Sequence, residues 1–150
     1  MKPTVEELET RTREFAEESR RKGLSVTHQR LAIFRELAST DTHPTAEDIF
    51  GKLRKQFSTL SFATVYKTLE TFEKFGFVSK TRSTGERARY DANRMLHHHL
   101  ICRECGRIED YYHEALARLS VPRNVRSNFK VEEYRIDFRG LCGSCRGKRK

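Results

Sequence analysis

The chain has 150 residues, enough for one ordinary domain or two small ones. A hydrophobic content of 36 % allows modest cores, and no run is long and apolar enough to cross a bilayer. A formal net charge of +9 makes polyanions the expected macromolecular partners, with a merely solvated basic surface as the plainer alternative. The excess does not mark one lobe as the reader: residues 1–92 carry 17 Lys+Arg against 14 Asp+Glu, and residues 93–150 carry 13 against 7.

Residues 4–22 read as a charged surface helix with sparse apolar positions at Val5, Leu8 and Phe15, stopped before Gly23. Its closing Arg20-Arg21-Lys22 can either meet phosphate or simply complement the helix dipole. Thr27 is a suitable N-cap for a second helix, in which Leu31, Phe34, Leu37 and Ala38 recur at helical spacing. Asp41-Thr42-His43-Pro44 breaks it, and Thr45 caps a third helix with Ala46, Ile49, Leu53 and Phe57 on one face. Ser61 caps a fourth, running to about Phe75, where Gly76 stops it. Phe62, Val65, Leu69 and Phe72 form the expected buried stripe, leaving Ala63, Thr64, Tyr66, Lys67 and Thr68 outward near the start.

A short helix, a tight break and a second helix exposing small, hydroxyl and basic side chains suit a helix-turn-helix. Phe77 to Thr81 and Arg87 to Tyr90, around a polar Ser83-Thr84-Gly85-Glu86 tip, read as a β-hairpin. Beside the helix pair it makes a wing; the alternative is a three-helix core with an ordinary surface hairpin. The candidate DNA contacts are Ser61, Ala63, Thr64, Tyr66, Lys67, Lys80, Arg82 and Arg87. Lys67 and the wing cations suit phosphate, while Thr64 and Tyr66 suit a base edge or a thymine methyl.

A junction near Asp91-Ala92-Asn93-Arg94 divides the chain into a winged-helix DNA-binding domain, 1–92, and a dimerisation and metal-binding domain, 93–150. The fold class expected is α+β, a winged helix-turn-helix followed by a small α/β domain. In the second lobe, His97 to Cys102 and Arg107 to Tyr112 read as strands around a knuckle. If the hairpin centres on Arg103-Glu104, His97 faces Asp110, and alternation puts His97 and His99 on one face with His98 on the other. Glu114 to about Leu119 reads as a short helix. Lys130 to Arg139 alternates, with Tyr134, Ile136 and Phe138 against Arg135, Asp137 and Arg139, as a final strand. Such a lobe buries little apolar surface by itself, so metal and a second copy of the chain, in a homodimer, are expected to complete it.

All four cysteines lie here, as Cys102-x-x-Cys105 and Cys142-x-x-Cys145. Two such pairs let four thiolates converge tetrahedrally on a structural Zn²⁺. Disulfides are the competing reading, but the charged opening Met1-Lys2-Pro3-Thr4 has no signal-segment character, and a cytoplasmic location keeps thiols reduced. A redox C-x-x-C needs no second pair. The second constellation is His97, His99 and Asp110, with His43 and Asp91 as further ligands from the other lobe or its linker. Nitrogen and oxygen donors without sulfur suit Fe²⁺ or Mn²⁺; three adjacent histidines are otherwise a solvated strand end.

Several stretches together resemble the ferric uptake regulator (Fur) family of bacterial metal-dependent repressors: Thr27-His28-Gln29-Arg30, His43 to Asp48, Ala63 to Leu69, Arg89-Tyr90-Asp91, His97 to Gly106 and the closing C-x-x-C. The resemblance spans about residues 24–145. It implies a winged helix, a dimerisation domain, a four-cysteine zinc site, and a regulatory site of His43, Asp91, His97, His99 and Asp110. A palindromic double-stranded operator is the implied partner. An aspartate at the last ligand position resembles the peroxide-sensing (PerR-type) branch, in which metal-catalysed oxidation of a ligand histidine, His43 or His97, releases DNA. A further metal site of many iron sensors is implied to be dismantled, since Leu96, His98, Ala117 and Tyr134 stand at its positions. Tyr66-Lys67-Thr68 is more similar to iron-sensing members, and iron, zinc or manganese sensing is the alternative. The reading from another class is a metalloenzyme, for which nothing marks Glu104 or Glu109 as a general base.

Overall fold

The computed structural model describes residues 2–82 and 87–148, with the Arg82 side chain outside the description. The expected hairpin tip, Ser83 to Glu86, also lies outside the described residues. The chain divides into two compact units, Met1–Arg94 and Met95–Lys150. No helix among the described residues is long and apolar enough to cross a membrane.

In the first unit, α1 (Val5–Arg21) opens on a capping box: Glu7 N–H donates to Thr4 Oγ1 at 3.2 Å, and Thr4 N–H donates to Glu7 Oε2 at 2.7 Å. It ends where Gly23 takes a left-handed φ of +76°. The helix is not merely a surface element, because its one phenylalanine, Phe15, stacks on Phe34 at 4.0 Å and meets Phe72 and Phe77 edge-on. One aromatic side chain of that size outweighs the charged remainder in deciding where the helix sits. Thr27, Thr45 and Ser61 each accept a backbone N–H three residues on, starting α2 (His28–Ala38), α3 (Ala46–Leu53) and α4 (Phe62–Lys74).

The core cluster joins Phe15, Ile33, Phe34, Leu37, Ile49, Leu53, Val65, Leu69, Phe72, Phe77 and Tyr90, among others. Two expectations for α4 are corrected. Phe62 is 40 % exposed, because the first turn extends past the packed core to meet Phe50 and Tyr66. Thr68, expected outward, is buried in line with Val65 and Phe72. The strands β1 (Ser79–Arg82) and β2 (Ala88–Asp91) pair antiparallel, with Ser79 opposite Asp91. β2 also grips the loop before α3: Tyr90 N–H donates to Pro44 O at 3.0 Å, and the Arg89 guanidinium donates to His43 O at 3.0 Å.

The second unit holds a three-stranded sheet of β3 (His98–Cys102), β4 (Ile108–Tyr111) and β5 (Asp137–Gly140), ordered β4-β3-β5. β3 and β4 are antiparallel, and β5 runs parallel to β3. The register differs from the one expected: His99, not His97, lies opposite Asp110. The turn is longer than a two-residue hairpin, because Cys102 N–H bonds Arg107 O and Gly106 takes φ +70°. A slip of two residues leaves every side chain on its original face, so the grouping of His97, His99 and Asp110 survives it.

The closing strand is also shorter than the alternation from Lys130 suggests, because β3 begins at His98 and leaves the preceding segment no neighbour to pair with. Tyr134 instead braces α5 (Glu114–Ala117), donating its hydroxyl to Leu116 O at 2.6 Å and accepting from Leu119 N–H. Two short helices were not anticipated: α6 (Arg123–Arg126), and α7 (Gly143–Gly147), which carries Cys145 one turn beyond Cys142.

Candidate metal centres

The knuckle after β3 and the start of α7 bring Cys102, Cys105, Cys142 and Cys145 together, their Sγ atoms all within 4.8 Å of one another. Cys105 Sγ and Cys142 Sγ are 3.8 Å apart. A tetrahedron with metal–sulfur bonds of about 2.3 Å has edges of about 3.8 Å, the separation of Cys105 and Cys142, so the four sulfurs could close on one ion. Backbone N–H groups of Cys105 and Cys142 point at Cys102 Sγ and bring its thiol down to about 6. Bonding to Cys142, with burial, pushes the Cys145 thiol up to about 12. Four sulfurs this close resist ionising together, and a dication at their centre offsets that repulsion.

The nitrogen and oxygen donors lie in both units. In the first, His43 takes a left-handed φ of +49°, rare for a residue with a Cβ, in the loop that β2 clamps. Its Nε2 lies 3.6 Å from Asp91 Oδ2, while Asp91 Oδ1 accepts the Asn93 N–H at 2.7 Å. Both residues are buried.

In the second unit, His97 Nε2 and His99 Nε2 stand 3.1 Å apart, and His97 Nε2 is 3.6 Å from Asp110 Oδ1. The outer nitrogens are occupied: His97 Nδ1 meets Met95 O at 2.7 Å, and His99 Nδ1 meets Asp137 Oδ1 at 3.3 Å. A carbonyl and a carboxylate can only accept, so a proton on Nδ1 of each ring satisfies both outer contacts and leaves the Nε2 lone pairs facing inward. Two lone pairs facing each other at 3.1 Å repel, and a shared cation removes the repulsion. His97, His98 and His99 are all buried, which sets aside the solvated strand end. His98 faces the other way, its Nδ1 accepting the Ile136 N–H and its ring stacked on Tyr134.

Ser61 caps α4, its Oγ accepting the Thr64 N–H at 3.1 Å. Ser61, Ala63, Tyr66 and Lys67 are exposed along the first turns, with Thr64 half-buried among them. Lys80 of β1 holds its ammonium 6.0 Å above the rings of both Tyr66 and Tyr90, and Arg87 is exposed beside β2. A cleft of about 360 Å³ opens between α4 and this hairpin, lined by Tyr66, Lys80, Arg87 and Tyr90. Burial pushes the Tyr90 phenol up to about 12, so it stays neutral.

Asp137 and Tyr112 belong to the second cluster and were not singled out in the sequence. Tyr112 donates its hydroxyl to Asp110 Oδ2 at 3.3 Å. Asp137 is found through the parallel pairing of β5 with β3, which local alternation cannot reveal.

A model of the ferric uptake regulator family matches residues 21–139. The peroxide-responsive repressor PerR of Staphylococcus aureus is 33 % identical over 148 residues, covering 99 % of this chain and 100 % of that protein. The Helicobacter pylori ferric uptake regulator Fur shares the fold, with a TM-score of 0.77 over 97 % of each chain at 22 % identity. The Francisella tularensis ferric uptake regulator, solved with iron, gives 0.69 at 30 % identity, over 83 % of this chain and 96 % of that one. Two thiolate pairs closing a tetrahedron and a winged helix-turn-helix ahead of them thus sit in a chain matched over most of its length: it belongs to the ferric uptake regulator family, whose members are transcriptional regulators and not enzymes.

Proposed function

We propose that this member of a family of metal-responsive, DNA-binding dimeric repressors is of the peroxide-sensing type. The observation that carries the reading is the close approach of His97 Nε2 and His99 Nε2, 3.1 Å apart and joined by Asp110, in a donor set free of sulfur. Such donors fit Fe²⁺ or Mn²⁺, while the four cysteines fit a structural Zn²⁺. His43 and Asp91 complete the regulatory set from the first unit, so that one ion ties the two units to each other. That tie fixes the separation of the two α4 helices in the dimer and lets them engage the half-sites of a palindromic operator together. The ion acts through its greater affinity for the closed arrangement.

Ser61, Ala63, Thr64, Tyr66 and Lys67 read or grip the major groove, and Lys80, Arg82 and Arg87 of the wing meet phosphate. When bound, Fe²⁺ would supply redox chemistry toward H₂O₂, with His43 or His97 as the imidazole that would take up one peroxide oxygen while the other leaves as water. Loss of that ligand unties the units and releases DNA. With the S. aureus relative, the aspartates at 91 and 110 support this reading. Membership of a family of DNA-binding repressors supports work in the cytoplasm.

Mass spectrometry of the Fe²⁺-loaded protein after H₂O₂ should show one added oxygen on a peptide containing His43 or His97, with operator affinity lost. The Mn²⁺ form should keep both its mass and its DNA. Unmodified histidines and unchanged DNA affinity in the Fe²⁺ form would overturn peroxide sensing in favour of metal sensing, iron first. That second reading is favoured by Tyr66-Lys67-Thr68 and by the iron-bound Francisella tularensis relative.

A further inference from the structure

Three residues stand in one row across the second unit's sheet. His99 in β3 is opposite Asp110 of β4 on one side and opposite Asp137 of β5 on the other. All three side chains therefore share a face, with a carboxylate on each flank of one imidazole. The flanks do different work. Asp110 turns Oδ1 toward His97 Nε2, at 3.6 Å, and its Oδ2 accepts the Tyr112 hydroxyl. Asp137 turns Oδ1 toward the far nitrogen of the ring, His99 Nδ1, at 3.3 Å. Its other oxygen accepts from the Arg139 guanidinium at 3.3 Å, two residues along the same strand and on the same face. Backbone pairing fixes the row, since His99 N–H donates to Ile136 O at 3.0 Å.

We propose that Asp137 is the positioning residue of the regulatory site: it holds the Nδ1 proton of His99, fixes the ring plane, and keeps the Nε2 lone pair directed at the ion, with Arg139 steadying the carboxylate. An imidazole left to itself divides its proton between two nitrogens and rotates about χ2, and both freedoms weaken it as a ligand. The carboxylate removes both. It also adds negative charge one bond beyond the ligand, which raises the basicity of Nε2 toward a divalent cation. His97 differs in having a neutral acceptor, Met95 O, at 2.7 Å. The role rests on the regulatory-ion reading above, and the test separates the two.

The protein to use is the full-length chain with its zinc in place, and the probe is Mn²⁺ alone, titrated while free Mn²⁺ is followed by electron paramagnetic resonance. Asp137→Ala should weaken Mn²⁺ binding by about 10- to 100-fold, with zinc content and circular dichroism unchanged. Asp137→Asn, which keeps an acceptor oxygen but not the charge, should fall between. Nitrogen-15 NMR of the histidine side chains without added Mn²⁺ should find the wild-type His99 proton on Nδ1 and its preference lost in Asp137→Ala. A purely structural role would not move that signature. Mn²⁺ affinity within twofold of wild type in Asp137→Ala, or a wild-type His99 protonated on Nε2, overturns the proposal. If Asp137→Ala loses its zinc, Asp137→Asn and the wild-type tautomer decide. If the wild type itself fails to bind Mn²⁺, the regulatory-ion reading falls while the tautomer still judges Asp137.

Discussion

The two units hold themselves together by different means. In the first, sixteen buried hydrophobic residues among those described, from four helices, β2 and the connecting segments, form one cluster. In the second, the buried hydrophobic residues among those described are Ile101, Cys102, Ile108 and Cys145, two of which are sulfur donors, and the largest buried side chains beside Ile101 are three histidines. Met95, Leu96, Leu100, Phe129 and Phe138 meanwhile remain exposed there. The first unit is organised by expelling water from apolar surface. The second places polar groups of metal-binding chemistry where such a core would be, so a bound ion and a partner chain are expected to supply part of its order.

The largest effect should come from breaking the cysteine cluster. Cys142→Ser, or zinc chelation, should remove on the order of 10 kcal/mol of metal-linked folding energy from the second unit. Hydrogen exchange should then show β3, β4 and β5 unprotected while α2, α3 and α4 keep their protection. Loss of both units together would mean that the contrast is false. Next comes the mirror experiment, in which Phe72→Ala empties the centre of the first unit's aromatic cluster and should cost about 3–5 kcal/mol in a denaturant titration. Its zinc content should stay at the wild-type level.

Asp48 offers the finest probe. It accepts the Thr45 N–H at 2.9 Å and the Thr45 hydroxyl at 2.8 Å, and these bonds hold its carboxyl below the ordinary 3.8. A depressed folded pKa means that the charged form is stabilised by folding. The contribution is present above the unfolded pKa and is lost as pH falls through the folded one. Asp48→Asn should therefore destabilise the first unit by about 0.5–1 kcal/mol at neutral pH. That difference should vanish in acid, and one that persisted there would assign the effect to packing.

Legibility in the sequence followed the same division. Helix starts at Thr27, Thr45 and Ser61 were readable because a cap is a local bond, made within three residues. The depth of α1 was not, since one Phe15 among charges says little until Phe34, Phe72 and Phe77 surround it. Both cysteine pairs could be seen as a site because C-x-x-C is a local spacing, and two pairs need each other. The shared face of His97, His99 and Asp110 was likewise legible, and it survived a wrong register because the error was even. Asp137 escaped notice because it reaches His99 across a parallel pairing 38 residues away in the chain, a contact that leaves no short-range pattern.

The parallel pairing of β3 with β5 sets an order of events on the ribosome. Every member of the aromatic cluster has been translated once Tyr90 has been added, so the first unit can settle while synthesis continues. The four-cysteine cluster must wait for Cys145, forty residues after Cys105. A nascent chain therefore holds a complete first unit before its four thiols can meet, and the second unit closes last.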